Sequence, residues 1–316
     1  MLRNSSGLSY AAGMMMRYGR LSRHRVASRA MTGVDVGEFD ALYADFAPRF
    51  AAAERRRLSR PDRRRAIGAG HPFELDARDQ LLVAVVWLRR YPIHAVLGYL
   101  FGVDETTALR TVHRVLPLPE AAGLDTMRLP DPGKGKRPSL DALLRETPAL
   151  AVVVDTCEQR VQRPRDRAEA DTYYSGKKQQ HTLKSQVAVR EDGRVADVAE
   201  RARGPTADLA LLKESGLLDR LPPDVGALGD LAYVGIGALH PTGLAATPRR
   251  KPRGRPRPDA DIAYNTAFAR RRIVVGHTLG RLRAYQALSQ TARHHRQAHT
   301  ARVRAVAGLV NRRLAA

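Results

Sequence analysis

The chain has 316 residues, with 54 lysines and arginines against 32 aspartates and glutamates, a formal charge of +22 and an isoelectric point near 11.0. Folding does not require such an excess, so it points to a polyanionic partner, nucleic acid ahead of an anionic membrane surface. The longest apolar run, LLVAVVWL at 81–88, is too short to span a bilayer, and a single cysteine, Cys157, excludes a disulfide framework and a cysteine-built zinc site.

Residues 1–30 hold Ser, Gly and Arg without periodicity, and Met14, Met15, Met16 and Met31 are alternative starts. This stretch is expected to be disordered or to precede the true start. It has no sustained apolar segment of the secretory type, so a cytoplasmic protein is expected. Residues 35–65 read as charged helix. ELDARDQLLVAVVWLRRY (74–91) places Leu75, Leu81, Leu82, Val85, Val86 and Leu88 in a buried helix capped by Asp76, with Trp87 in the core. The next stretch predicts a helix from Pro92 to Leu100, a tight turn at Gly102, and a second helix from Asp104 that ends before Pro117.

Helix, glycine turn and capped helix form a helix-turn-helix at 92–116, inside a helical DNA-binding region at 35–125. Thr106, Thr107, Arg110, His113 and Arg114 are expected to face outward toward bases or phosphates. An ordinary helical hairpin has the same spacing; the overall charge tips the balance toward double-stranded DNA.

A linker rich in Pro, Gly and Lys follows at 126–145, and the period then changes. ALAVVVDTC (149–157) is a continuous apolar run ending near Asp155, as a buried strand would. Residues 181–202 alternate on both sides of Asp192-Gly193, which predicts a two-residue hairpin turn. TADLALLKESGLLDRL reads as one amphipathic helix, VGALGDLAY (225–233) as a short strand ending on Asp230, and GLAATP (243–248) as a last strand. A basic, proline-rich stretch leads into a helical tail. The order strand, hairpin, helix, strand, helix, strand, helix predicts an α/β domain at 146–290, followed by a basic helical tail at 291–316.

Asp155 and Asp230 thus stand at the ends of two apolar strands, where open α/β sheets put their functional crevice. An unpaired carboxylate cannot be buried cheaply. A divalent cation with hard oxygen ligands resolves this, and so does an arginine or a loop cap. Lys177, Lys178, His181 and Lys184 form a basic block, either a solvated face or a contact for the DNA backbone, the reading that the family resemblance given below favours, and Arg271 and Arg272 are candidates for the same contact. His295 and His299 have a metal-compatible spacing, but arginines surround them and no acid is near, so a solvated basic face is expected. Cys157 has no base beside it and reads as a small buried residue.

VVVDTCEQRVQRP, YYSGKKQQHTLKSQ, LGDLAYVGI and RRIVVGHTLGRLR resemble successive blocks of bacterial insertion-sequence transposases of the DDE superfamily, over roughly residues 75–310. The resemblance implies a ribonuclease H-like mixed sheet with flanking helices, preceded by the small all-α helix-turn-helix region. It implies DNA cutting and joining by phosphoryl transfer with two Mg²⁺ (or Mn²⁺) ions. It also implies element ends and target duplex as partners, a homo-oligomer on DNA in the bacterial nucleoid, and neither a membrane nor a small-molecule substrate. Asp155 and Asp230 match the first two metal-binding acids. At the position of the third acid the chain has Gly276, in the middle of a helix where glycine costs roughly 1 kcal/mol. Glu158 and Asp261 are the possible substitutes: Glu158 is on odd strand spacing from Asp155, and Asp261 is about 22 Å away along a continuous helix at 1.5 Å per residue. The expectations are therefore an impaired transposase or a DNA-binding repressor derived from one.

Overall fold

The computed structural model describes residues 15–59, 66, 73–131, 151–240 and 242–315. Most of the expected linker and the start of the first strand, residues 132–150, lie outside the described residues, as do residues 1–14. The chain divides into two compact units, one comprising residues up to Ala122 with Ala284–Ala287, the other Gly123–Arg283 with Leu288–Ala315. Among the described residues no helix is long and apolar enough to cross a membrane.

The first unit is helical: α1 Tyr18–Leu21, α2 Arg25–Thr32, α3 Val36–Leu58, α4 Ala77–Arg90, α5 His94–Phe101 and α6 Glu105–Val115, with α7 Pro117–Leu124 at its boundary. The spacing of Phe39, Leu42, Phe46 and Phe50 gives α3 one apolar face, and all four are buried. Asp35 and Glu38 start that helix with a reciprocal capping box. The run Leu81–Leu88 is fully covered within α4, and Asp76 caps it through the Asp79 N–H.

Residues 15–30 depart from the expectation of disorder. Tyr18 is buried and stacks on Phe39 at 4.7 Å; its hydroxyl donates to Asp40 Oδ1 at 2.6 Å and its N–H to Asp79 Oδ1 at 2.7 Å. The Met16 N–H donates to the Leu100 carbonyl at 2.8 Å. One aromatic ring and a few long-range hydrogen bonds order a stretch that lacks periodicity, and no local pattern could have announced them.

Among its described residues the second unit holds a mixed sheet of seven strands with the order β2-β3-β1-β6-β7, and β4 and β5 also pair with β3. The strands are β1 Ala151–Arg160, β2 Tyr174–Ser175, β3 Gln180–Arg190, β4 Val195–Val198, β5 Ala202–Arg203, β6 Gly226–Leu228 and β7 Ala245–Ala246. β3 runs antiparallel to β1, while β6 is parallel to both β1 and β7. This is the mixed sheet with flanking helices that the family resemblance implies. α8 Arg167–Tyr173 follows β1, α9 Asp208–Glu214 and α10 Leu217–Arg220 follow β5, and α11 Ile236–Leu239 precedes β7. The helices α12 Asp259–Arg283, α13 Gln286–Ser289 and α14 His299–Ala315 complete the chain. Val152 and Val154 join Leu212, Leu217 and Leu218 of α9 and α10 in one core cluster.

Three boundaries differ from the sequence reading. β1 continues five residues past Asp155, because β3 pairs with it through Arg160 even after β6 has stopped at the Val153–Leu228 pair. The hairpin loop has three residues, not two: Arg190 N–H donates to the Arg194 carbonyl, and Gly193, at φ 84°, takes the left-handed position. The single helix expected after β5 is broken into α9 and α10 at Gly216.

Candidate functional site

Two acids and an arginine meet on the β1 face of the second unit. Asp155 is on β1 just beyond the point where its parallel neighbour ends, so its carboxylate enters a gap at the sheet edge. The Thr156 N–H donates to Asp155 Oδ1 at 2.8 Å and leaves Oδ2 for other partners. Asp230 is two residues past β6 and caps the short 3₁₀ turn Leu231–Tyr233, with the Ala232 N–H donating to its Oδ1 at 2.8 Å. Each backbone bond fixes one oxygen and aims the other.

Both free oxygens converge on Arg272 of α12. A single nitrogen, Nη2, donates to Asp155 Oδ2 at 3.1 Å and to Asp230 Oδ2 at 3.4 Å. Burial pushes the Asp155 carboxyl above its usual range; the Asp230 charge adds to that rise, while Arg272 opposes it. The space between the acids is therefore a cation site by its own electrostatics, and the cation the chain supplies is a guanidinium. Nε of Arg272 is buried without a hydrogen-bond partner among the described residues, so the arginine is not fully satisfied in this position.

Two buried features support the pair from below. Tyr233 is fully covered, and burial followed by the charges of Asp208, Asp155 and Asp230 pushes its phenol upward. Its hydroxyl donates to Gln186 Oε1 at 3.4 Å. For the turn to fold back over this ring, residue 229 must lack a side chain, since a Cβ there would lie 2.6 Å from Tyr233 Cβ. The block LGDLAY thus couples a glycine that gives way, an acid that caps and a tyrosine that fills the space beneath.

Gly276 lies one helical turn beyond Arg272, inside α12. Its position is exposed, with nothing within 4 Å of where a Cβ would be. Neither the backbone conformation nor a close neighbour requires glycine there. Neither substitute completes a set of acids. Glu158 Oε2 accepts from Thr182 Oγ1 at 2.6 Å, as its odd spacing on a continuous strand implies, and Asp261 pairs with Arg249 at 2.8 Å near the start of α12. Among the described residues no group of three His, Cys, Asp or Glu side chains is disposed around a metal position. The donor chemistry at Asp155 and Asp230, two hard carboxylate oxygens facing one space, suits a divalent cation.

The expected DNA contacts separate into free and engaged cations. Lys177 and Lys178 are exposed on the turn after β2. With Glu158 and Arg283 they line a cavity of about 490 Å³ next to the acidic pair, whose wall includes Cys157. Burial pushes the Cys157 thiol up to about 11, so it stays protonated at neutral pH. Lys184 is buried, with Nζ donating to Asp208 Oδ1 at 2.7 Å and to the Thr206 carbonyl. Its ammonium is used inside the fold. Arg271 pairs with Glu191 at 2.9 Å, and Arg272 is engaged as described.

In the first unit, Gly102 takes φ 63° between α5 and α6, and Asp104 caps α6 through the Thr107 N–H at 2.9 Å. Thr106, Arg110 and His113 face solvent. Thr107 turns its hydroxyl back to Asp104. Arg114 points inward: it donates to Gln80 Oε1 at 2.7 Å, lies 3.8 Å from Glu54 and covers the Phe73 ring at 4.3 Å. Facing Glu54 and Gln80 on neighbouring helices and the Phe73 ring ahead of α4, it packs instead of projecting. In the second unit His299, expected on a solvated basic face with His295, is instead buried, with Nε2 2.8 Å from Ser185 Oγ, while His295 is exposed.

Comparison with known proteins places these features in a family. Residues 154–311 match the model described as DDE superfamily endonuclease, and residues 73–124 match the helix-turn-helix of DDE superfamily endonuclease. The chain is 28% identical over 257 residues to a protein of Microchaete diplosiphon named "Probable transposase for insertion sequence element IS702", covering 80% of this chain and 87% of that one. No solved structure matches the chain significantly.

Proposed function

The chain belongs to the DDE superfamily endonucleases and carries their helix-turn-helix domain; on that premise we propose that it is an insertion-sequence transposase whose cutting step is impaired. In this reading the helical region at 35–125 binds element ends through α6, the linker at 126–145 joins it to the catalytic domain at 146–290, and the basic tail is 291–316. Thr106 and Arg110 meet the major groove, while Lys177 and Lys178 hold the backbone near the cut. Asp155 and Asp230 hold Mg²⁺ or Mn²⁺. Such an ion would activate water or a 3′-hydroxyl and stabilise the leaving oxygen. The protein acts as a homo-oligomer on DNA in the nucleoid.

The observation that carries the reading is the convergence of Asp155 Oδ2 and Asp230 Oδ2 on one cationic atom. The same place carries the impairment. With glycine at 276, no carboxylate is available one turn from Arg272 to draw the guanidinium off the pair, and the acid set stays at two. Arg272 then competes with a metal ion for the same two oxygens. A second reading, a repressor that occupies element ends without cutting, is favoured by this one position.

Gly276→Glu tests both. The side chain has open space, its i, i+4 relation to Arg272 offers that arginine a new partner, and the third acid returns. Mg²⁺-dependent nicking of an end-containing duplex should rise about a hundredfold, the range typical of restoring one electrostatic element of an active site, and Asp155→Ala in that background should abolish the gain. Equal nicking by the glycine and glutamate forms would refute the impairment. No nicking by either, with end binding intact, would favour the repressor.

A further inference from the structure

The strand that carries Asp155 ends in a second basic feature, at the far side of the second unit. Past Arg160 the chain forms an isolated bridge between Val161 and Ala292, and the Ala292 N–H donates to the Arg160 carbonyl at 2.8 Å. This ties the segment 161–165 to the segment 292–296, and a cavity of about 280 Å³ opens between them. Arg163, Arg165, Arg293 and Arg296 line it together with His294 and His295.

Charge in this cavity is unbalanced. Arg163 and Arg165 are exposed and have no ionic or hydrogen-bond partner among the described residues. Arg296 lies over the Tyr173 ring at 4.7 Å, which sets its plane, and Nη2 pairs with Glu169 at 2.9 Å. Its Nη1 is buried with no partner among the described residues, a donor with nothing to bond. Of the nearby acids, Glu169 is taken by Arg296, and Asp166 accepts the Glu169 N–H to cap α8. Burial and the neighbouring Arg302 keep His294 neutral, so the positive charge comes from arginine.

We propose that this cavity is a second seat for the DNA sugar-phosphate backbone, separate from the acidic pair and from the recognition helix; the inference rests on the reading of the chain as a DNA-cutting or DNA-binding protein. Guanidinium groups match phosphate oxygens with paired donors, and a plane fixed by an aromatic ring is already oriented for that contact. The cavity is large enough for a phosphate and its flanking sugars. Val161 is six residues beyond Asp155, about 20 Å at 3.3 Å per residue of strand, which is roughly six base pairs of duplex at 3.4 Å per step. A duplex with one phosphate at the acidic pair can therefore have another, half a helical turn away, in this cavity.

Two triple variants of the full chain test the proposal on a random duplex and on an end-containing duplex. Arg163→Ser/Arg165→Ser/Arg293→Ser removes the seat. Arg250→Ser/Lys251→Ser/Arg253→Ser removes the same charge from an exposed loop elsewhere in the unit. The first should lower the slope of log affinity against log salt by about one, since the one seated phosphate contributes about 0.9, with preference for element ends unchanged; the second should leave it nearly unchanged. Equal slope changes in both variants would reduce the seat to general attraction and overturn the proposal. So would an unchanged slope in the first, the result expected if the cavity takes an acidic protein segment instead. Loss of end preference in the unsubstituted chain would count against the functional reading itself. The double variant Arg163→Ser/Arg165→Ser, whose side chains are exposed, should melt with the parent and show the same direction of slope change.

Discussion

The helix-turn-helix and the acidic pair use arginine in opposite ways. On α6 the acids near the outer face are spent at the helix start, where Asp104 caps the Thr107 N–H and hydroxyl, so Arg110 stays free for an external anion. Around the pair, three cations have a carboxylate in reach and are drawn inward: Arg272 to Asp155 and Asp230, Arg271 to Glu191, Lys184 to Asp208. The difference lies in the acids supplied by neighbouring elements, not in the basic residues themselves. A count of lysines and arginines therefore says that the chain meets a polyanion without saying which of them do so.

The comparison breaks most visibly where one side chain ties a terminus to the helical unit. A chain beginning at Met31 loses the Tyr18–Phe39 stack and the Tyr18 bonds to Asp40 and Asp79, and Asp79 keeps a carboxyl that burial already raises. Truncation should cost about 5 kcal/mol, at the upper end for deleting one buried aromatic, read as a fall in melting temperature. An unchanged melting temperature would restore the expectation that these residues are dispensable. Lys184 ranks next. Lys184→Met should destabilise by about 3–5 kcal/mol because it strands Asp208 without its partner, whereas Lys177→Met should leave the melting temperature alone and weaken DNA binding.

These cases show what could be read from the chain. Local pattern gave the buried α4, the turn at Gly102, the cap at Asp104 and the succession of strands and helices along the second unit, because those depend on neighbours within a few residues. Asp155 and Asp230 were visible as acids closing apolar runs. The engagement of Arg272 and Lys184, the inward turn of Arg114 and the bed formed by Tyr233 were not, because each depends on a partner 22 or more residues away in the chain. Gly276 was legible only against the family blocks; its open surroundings then removed the ordinary reasons for a glycine.

Within the helix-turn-helix, Arg110 and Arg114 sharpen the same contrast. Arg110→Ala should reduce discrimination between element-end and random duplex by about 1–3 kcal/mol, the range for a base-reading arginine. Arg114→Ala should instead lower the melting temperature, with discrimination per folded molecule unchanged. The reverse pattern would place Arg114 in the groove and refute its packing role.

The smallest expected effect concerns Glu191, the acid that holds Arg271 on the hairpin loop. Burial pushes its carboxyl from the ordinary 4.5 up to about 7, and Arg271 only partly offsets this. Between those two values the folded chain binds a proton that the unfolded chain has released, so stability falls as pH rises through the window and levels off above it. Glu191→Gln removes that slope and keeps an oxygen to accept from Arg271. The variant should gain on the parent between pH 5 and pH 8 by an amount on the order of 1–2 kcal/mol, after allowance for relaxation around a half-buried group. Asp155 has its own raised carboxyl, but it is common to both proteins and cancels in the difference. A stability difference that is flat with pH, measured by denaturant unfolding at each value, would mean that Arg271 keeps Glu191 ionised throughout. The arginines facing the acidic unit would then be held more firmly than this geometry implies, and Arg272 beside them would be correspondingly harder to draw off the pair.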